Sequence, residues 1–242
     1  MIKNLFRISS TPGKTLLWLL LKKDLTGVKG DLGVDLAGGS MLNKCFFKTK
    51  RYVSVDINQI KLSEGMEVYP DAIAVNETIQ NYLSGTTEKP NLLVCVQTFG
   101  TNMFFEHQET VEVIKNMSKT LGFDGSMTFN VGSFGDVDLV ELKNKLSPFL
   151  KAQFQNVNFR FYGAMHKRVK LPRWKFTEDG IIRVENKTLN KIGVLKKAKH
   201  LVRSIFILGL AYTMYLLPPL RTAFGKKKLY LYCFCSGKLK EK

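Results

Sequence analysis

Five short runs rich in apolar residues recur between residues 33 and 131, and they limit the folds that this chain can adopt. The runs are Gly33–Leu36, Tyr52–Ile57, Ala72–Val75, Leu92–Val96 and Ser126–Val131. Continuous apolar runs, rather than strict alternation of apolar and polar residues, are typical of parallel strands that are covered on both faces. Segments with helical spacing separate them, so the sequence predicts a doubly wound, three-layer α/β/α domain.

The flanking segments complete this prediction. Asn156–Tyr162 alternates as a sixth strand, and Leu229–Phe234 is expected to be the last one. Helices are expected in the N-terminal segment 1–30, at 41–47, over Gln108–Leu121, and over Asp138–Leu150 with an interruption near Pro148. The 242 residues are interpreted as a single domain, 1–242, with residues 165–227 inserted as a basic and apolar helical lid before the last strand.

The end of the first strand carries the clearest ligand-binding pattern. Asp35 is the penultimate residue of this strand, and Ala37-Gly38-Gly39 after it forms a loop of small residues that a ligand can approach closely. Asp56 follows 21 positions after Asp35, at the end of the second strand. In doubly wound sheets an acid at that place accepts hydrogen bonds from ribose hydroxyls, and ligands bind beyond the carboxyl ends of the strands.

Two ligand classes share this layout. A dinucleotide needs a helix N-terminus for its pyrophosphate and usually the spacing G-x-G-x-x-G, which this loop lacks. We also expect Asp35 at the mouth of the loop, where its charge repels a pyrophosphate. The same charge suits a ligand with an ammonium and a sulfonium group, as in S-adenosylmethionine.

At these residues the chain resembles the class I S-adenosylmethionine-dependent methyltransferases, which have a Rossmann-like, mostly parallel sheet with an antiparallel last strand. The resemblance implies cofactor binding by Asp35, Ala37, Gly38, Gly39, Asp56, Ile57, Glu77, Thr78 and Gln97. Within that set, Glu77 and Thr78 correspond to the adenine-contacting segment and Gln97 to the segment beside the methyl group. Ala37 departs from the family pattern, which has a glycine there.

The catalytic group is not identified by the sequence. His107 follows the fourth strand and is a weak candidate for a general base, although the simpler interpretation is a residue at a helix start. No Asn-Pro-Pro-Tyr-like motif follows that strand, which disfavours transfer to exocyclic amines of nucleic acids. The sequence shows no clustered metal-ligand motif, so no metal is expected.

The net charge of +17 is concentrated in the last third of the chain, where residues 160–242 hold 20 basic and 4 acidic residues. A basic run, Lys196–Arg203, precedes the apolar stretch Ile205–Leu220. That stretch reaches about 24 Å as a helix, short of the roughly 30 Å hydrocarbon core. Two interpretations stay open. Residues 196–228 contact an anionic membrane surface as a lid or hairpin, or the stretch is an internal helix.

The last third also guides the expectation for the methyl acceptor. By analogy with small bacterial methyltransferases that have such extensions, we expect a hydroxyl or similar acceptor on a lipid-linked or surface-polysaccharide sugar. The protein would then be cytoplasmic and peripheral at the inner face of the membrane. RNA or small-molecule methylation is the alternative, because a basic surface also binds phosphates. A non-catalytic binding protein on the same fold is the third possibility.

Overall fold

The computed structural model describes residues 12–100, 107–133, 138–163, 174–176, 182–184, 194–223 and 229–240. The chain divides into two compact units. The first consists of residues 24–161 and 230–242, and it contains the large sheet. The second consists of residues 1–23 and 162–229.

The described strands are β1 (Lys29–Leu36), β2 (Lys48–Val55), β3 (Ile73–Val75), β4 (Leu92–Phe99), β5 (Ser126–Gly132), β6 (Phe154–Gly163), β7 (Trp174–Phe176), β8 (Ile182–Val184) and β9 (Leu229–Lys238). Seven of them form one sheet in the order β3-β2-β1-β4-β5-β9-β6. Strands β1 to β5 pair in parallel, while β9 is antiparallel to β5. The predicted Rossmann-like fold class is therefore confirmed.

The described helices are α1 (Pro12–Leu25), α2 (Gln59–Val68), α3 (Ile79–Gly85), α4 (His107–Thr120), α5 (Leu139–Gln153), α6 (Val194–Leu216) and α7 (Pro218–Ala223). Three of them begin at polar caps. The side chains of Asn58, Thr78 and Asp138 accept hydrogen bonds from backbone N–H groups in the first turns of α2, α3 and α5. Because α2 and α3 begin directly after β2 and β3, their first turns lie at the carboxyl edge of the sheet.

Two helical predictions need correction. Residues 41–47 form only a 3₁₀ turn, Lys44–Phe46, because Met41 has a left-handed φ of 56° that interrupts a right-handed helix. The predicted break near Pro148 does not occur, and α5 continues to Gln153. Proline removes one hydrogen bond from a helix interior, yet the buried leucines of α5 (Leu139, Leu142, Leu146 and Leu150) keep it packed through this point.

A buried polar cluster links the end of α1 to strands β6 and β9. The Asp24 carboxylate accepts hydrogen bonds from the Arg160 guanidinium at 2.5 and 3.1 Å and from the Tyr232 hydroxyl at 2.9 Å. Tyr232 lies on β9 and is fully buried. Burial, together with the negative charge of Asp24, raises the pKa of Tyr232 well above its ordinary value, so the phenol stays a donor.

The second unit contains the first part of α1, the antiparallel pair β7–β8, α6 and α7. The Arg221 guanidinium donates hydrogen bonds to the carbonyl oxygens of Met214 and Tyr215, at 2.8 and 2.5 Å, and so satisfies the last turn of α6. Of the predicted lid (165–227) and membrane segment (196–228), residues 165–173, 177–181, 185–193 and 224–228 lie outside the described residues.

Among the described residues, no helix combines the length and the apolar character needed to cross a bilayer.

Candidate functional site

A cleft of about 450 Å³ opens at the carboxyl ends of β1 to β4, within the first unit. Its volume falls in the range of small-molecule and cofactor sites, roughly 300–1,000 Å³. The lining residues are Ala37, Asp56, Ile57, Asn58, Lys61, Glu77, Thr78, Ile79, Gln80, Gln97 and Thr98. Each of the four parallel strands thus contributes the residues that follow it or end it.

Six of the nine residues predicted to bind a cofactor line this one cleft. They are Ala37, Asp56, Ile57, Glu77, Thr78 and Gln97. The other three, Asp35, Gly38 and Gly39, do not line it. They support the loop between β1 and the 3₁₀ turn.

Asp35 lies beneath the loop, not at its mouth. Its side chain is 0% exposed, and its carboxylate accepts hydrogen bonds from the Tyr52 hydroxyl at 2.8 Å and from the Asn43 amide at 3.2 and 3.3 Å. The expectation that its charge faces a ligand at the loop mouth is therefore wrong. Burial and the adjacent Asp35 charge raise the pKa of Tyr52 well above its ordinary value, which keeps the phenol protonated as the donor.

The loop is held in a strained and closely packed conformation. Ala37 has a left-handed φ of 55°, which an L-residue adopts only at a cost of about 1–2 kcal/mol. A Cβ on Gly38 would lie 2.4 Å from Ser54 Oγ and 2.9 Å from Asp35 Oδ2. The absence of a side chain at Gly38 therefore allows the loop to pack directly against the buried Asp35 carboxylate.

Asp56 is positioned by backbone and side-chain contacts at the end of β2. Its Oδ1 accepts a hydrogen bond of 2.8 Å from the Asn58 N–H, and its own carbonyl accepts one of 2.9 Å from the Asn76 side-chain amide. Its Oδ2 lies 3.5 Å from the place that a Cβ on Gly39 would occupy. The turn therefore holds one carboxylate oxygen of Asp56, while the other lies beside Gly39 of the loop.

Apolar side chains frame this acid. Ile57 lines the cleft and is 62% exposed, while Ile79 lines it and is buried. An exposed isoleucine beside a carboxylate provides an apolar surface for a flat ring next to an acceptor for hydroxyl groups. That combination suits a nucleoside.

Gln97 reaches the cleft because β4 is irregular. The pairing of β4 with β5 shifts between Cys95↔Phe129 and Phe99↔Val131, so β4 accommodates two extra residues. Gln97 has a φ of 63° and is exposed, and its N–H donates a 2.6 Å hydrogen bond to Oδ1 of the buried Asn130. Asn130 on β5 thus fixes the irregularity that directs Gln97 to the cleft.

Sequence reasoning missed five lining residues: Asn58, Lys61, Ile79, Gln80 and Thr98. Four of them lie in the caps or first turns of α2 and α3. The signal was present, because a capping residue follows each strand within three positions and fixes the next helix at the same edge. Asn130 had no comparable signal, since its role depends on the register between β4 and β5.

Two features of the cleft distinguish ligand classes. Its charged lining residues are Asp56, Glu77 and Lys61, which leave an excess of one negative charge. The described residues 37–47 contain a 3₁₀ turn but no α-helix, so the loop after β1 lacks the helix N-terminus that binds a pyrophosphate. Both features disfavour a dinucleotide and favour a nucleoside that carries positive charge.

The candidate base His107 is the first residue of α4. The segment that joins it to β4, residues 101–106, lies outside the described residues. The helix-start interpretation agrees with the observed bounds of α4.

No protein-family model matches the sequence, and no curated protein matches it significantly. Among solved structures, an rRNA methylase from Streptococcus thermophilus is 13% identical with a TM-score of 0.43, and the match covers 64% of this chain and 89% of that one. Precorrin-6y C5,15-methyltransferase from Geobacter metallireducens is 13% identical with a TM-score of 0.47, covering 92% and 88%.

The plantazolicin methyltransferase BamL, solved in complex with SAH, is 12% identical with a TM-score of 0.48, covering 95% of this chain and 86% of its own. By their names these three proteins act on different acceptors, and at such identity the likeness concerns the fold alone. The strand order of this chain, with antiparallel β9 between β5 and β6, agrees with the class I methyltransferase fold that the sequence motifs indicate.

Proposed function

We propose that this protein is a methyltransferase that uses S-adenosylmethionine as the methyl donor. The observation that carries the proposal is the cleft in which Asp56, Ile57, Glu77 and Gln97 meet at the carboxyl ends of β2, β3 and β4. A carboxylate for the ribose hydroxyls lies beside an apolar surface for the base. The negative excess of the lining suits the positive charge of the sulfonium.

Different residues of the cleft bind different parts of S-adenosylmethionine in this proposal. Asp56 accepts hydrogen bonds from the ribose hydroxyls through the oxygen that its own turn leaves available. Ile57 and Ile79 enclose the adenine, with Glu77 and Thr78 at its edge. Ala37 and the loop above Asp35 contact the methionine portion. The bound donor supplies an electrophilic methyl group, and in-line positioning of the acceptor is the main further requirement.

The acceptor in this proposal is a hydroxyl or similar nucleophile on a lipid-linked or surface-polysaccharide sugar. The protein would work in the cytoplasm, at the inner face of an anionic membrane. The support is the basic and apolar last third of the chain, with 20 basic residues against 4 acidic ones in residues 160–242. The same excess of positive charge supports RNA as a second candidate acceptor, because Lys and Arg bind phosphates.

The donor assignment is tested by calorimetric titration of the purified protein with S-adenosylmethionine and, separately, with NADH. We expect saturable binding of S-adenosylmethionine and no measurable binding of NADH at the same concentrations. Binding of NADH but not of S-adenosylmethionine would indicate a dehydrogenase instead of a methyltransferase. Binding of neither ligand would favour a non-catalytic role for the fold.

A further inference from the structure

The described side chains of α6 form two apolar faces, and only one of these faces is covered. Ile207, Ala211 and Met214 are buried, at a spacing of four and three residues. Val202, Ile205, Phe206, Leu216 and Leu217 are each between 51% and 69% exposed. At about 100° per residue the exposed set falls within an arc of about 120°, on the side of the helix opposite to the buried set.

The exposed set forms a continuous stripe, which we call the α6 stripe: Val202, Ile205, Phe206, Gly209, Thr213, Leu216 and Leu217, all exposed. It extends over about 22 Å of helix. A helix at the surface of a soluble domain normally presents polar residues on the face away from the core. A row of large aliphatic and aromatic side chains there marks an interaction surface.

The charge around the stripe indicates the partner. Between Val194 and Lys228 the chain has eight basic residues and no acidic one. Four of these basic residues fall in the first ten positions of α6, before the main part of the stripe. A helix with an apolar face and basic flanks lies in the plane of a membrane, with its apolar side chains among the acyl chains and its cations at anionic headgroups.

An RNA partner fits this surface less well. Phosphates are bound by Lys, Arg and backbone donors, and single-stranded bases stack on aromatic rings. The α6 stripe presents Val, Ile and Leu side chains, one aromatic ring, Phe206, and the hydroxyl of Thr213, which donates to the Gly209 carbonyl oxygen. The aliphatic and aromatic side chains offer no hydrogen bond to a phosphate, but they enter a lipid layer readily.

The local structure of the second unit keeps the stripe accessible. Arg221 donates to the last carbonyls of α6, which closes the helix and fixes the turn into α7. Leu216 and Leu217 stay exposed at that turn. Docking therefore needs no unpacking of Ile207, Ala211 or Met214.

We propose that the α6 stripe is a docking surface for an anionic lipid bilayer, with α6 lying parallel to the membrane plane. This inference deepens the proposed function and rests on it only for the statement that the acceptor is membrane-bound. The contact itself depends on exposed side chains of α6 and on the basic flanks.

The test is co-sedimentation of the full chain with two kinds of vesicle. One contains phosphatidylcholine alone, and the other contains phosphatidylcholine with about 30 mol% phosphatidylglycerol. The wild type is expected to bind the anionic vesicles at least tenfold more tightly than the neutral ones. The double variant Ile205→Ser, Phe206→Ser should bind anionic vesicles at least tenfold more weakly than the wild type. Both substituted side chains are exposed, so folding is not expected to change.

Phe123→Ser is the matched control, because Phe123 is also exposed, at 59%, but belongs to the first unit. It should bind like the wild type. Equal binding by the double variant, or wild-type binding to neither vesicle, would overturn the proposal. Titration of the same samples with S-adenosylmethionine separates the two proposals, since a wild-type protein that binds S-adenosylmethionine but neither kind of vesicle rejects only the membrane contact.

Discussion

The Tyr52 hydroxyl donates a 2.8 Å hydrogen bond to the buried carboxylate of Asp35, directly beneath the loop that borders the cleft. The Asn43 amide donates to the same carboxylate from the other end of the loop. Gly38 is held against it by close packing. Asp35 thus acts as an internal anchor for the loop.

Tyr52→Phe removes one donor from a buried carboxylate, and it should lower the free energy of unfolding by about 1–3 kcal/mol at neutral pH. Denaturant titration of both proteins measures the difference. An unfolding midpoint of Tyr52→Phe equal to that of the wild type would show that the Tyr52 hydroxyl does not stabilise the Asp35 carboxylate.

The stabilisation by Tyr52 should depend on pH in one direction. Burial and the Asp35 charge raise the pKa of Tyr52 well above its ordinary value of 10.0. Above pH 10 the unfolded chain releases this proton while the folded protein keeps it, so stability falls as the pH rises. The difference between wild type and Tyr52→Phe should therefore be constant below pH 9 and shrink above pH 10. Cys95 has a pKa raised by burial, but it is present in both proteins and cancels.

Gly38→Ala should loosen the loop. The new methyl group would lie 2.4 Å from Ser54 Oγ and 2.9 Å from Asp35 Oδ2, so these side chains or the loop itself must move. Overpacking of this kind costs about 1–3 kcal/mol, measurable as a lower unfolding midpoint. Affinity for S-adenosylmethionine should fall with it, because Ala37 at the cleft moves too. Unchanged stability and affinity together would show that the loop does not require glycine here.

Ala37→Gly is the opposite change one residue earlier. Ala37 has a φ of 55°, which glycine adopts without a steric penalty. We expect an increase in unfolding free energy of about 0.5–1 kcal/mol, because relief of strain exceeds the added entropy of the unfolded chain. A decrease would mean that the Ala37 methyl group makes packing contacts worth more than the strain.

Much of the fold could be predicted from sequence, because buried parallel strands leave continuous apolar runs and caps mark the helices that follow them. Asp56 was predicted from its place at the end of a strand and Gln97 from the resemblance to the methyltransferase family, and both line the cleft. The orientation of Asp35 was not, since it depends on Tyr52, a residue of the neighbouring strand. The absence of a helix at 41–47 depends on the backbone of Met41, and the exposed row on α6 could not be told from a core face by periodicity alone.

Because Asp35 is buried, its charge is no longer a reason to disfavour a dinucleotide in the cleft. The buried carboxylate does not face the cleft. The selection rests instead on the missing helix N-terminus after the loop and on the negative excess from Asp56 and Glu77 over Lys61. Both belong to the structure and could not be derived from the spacing of the loop.

Binding of S-adenosylmethionine in this cleft should depend on Asp56, and calorimetric titration of Asp56→Ala beside the wild type measures that dependence. Glu64→Ala is the matched control, because Glu64 is an exposed acid on α2 that does not line the cleft. Loss of the charge-assisted hydrogen bonds to the ribose should weaken binding about 10- to 100-fold in Asp56→Ala, while Glu64→Ala should bind like the wild type. Equal affinity of wild type and Asp56→Ala would show that Asp56 does not hold the ribose of S-adenosylmethionine.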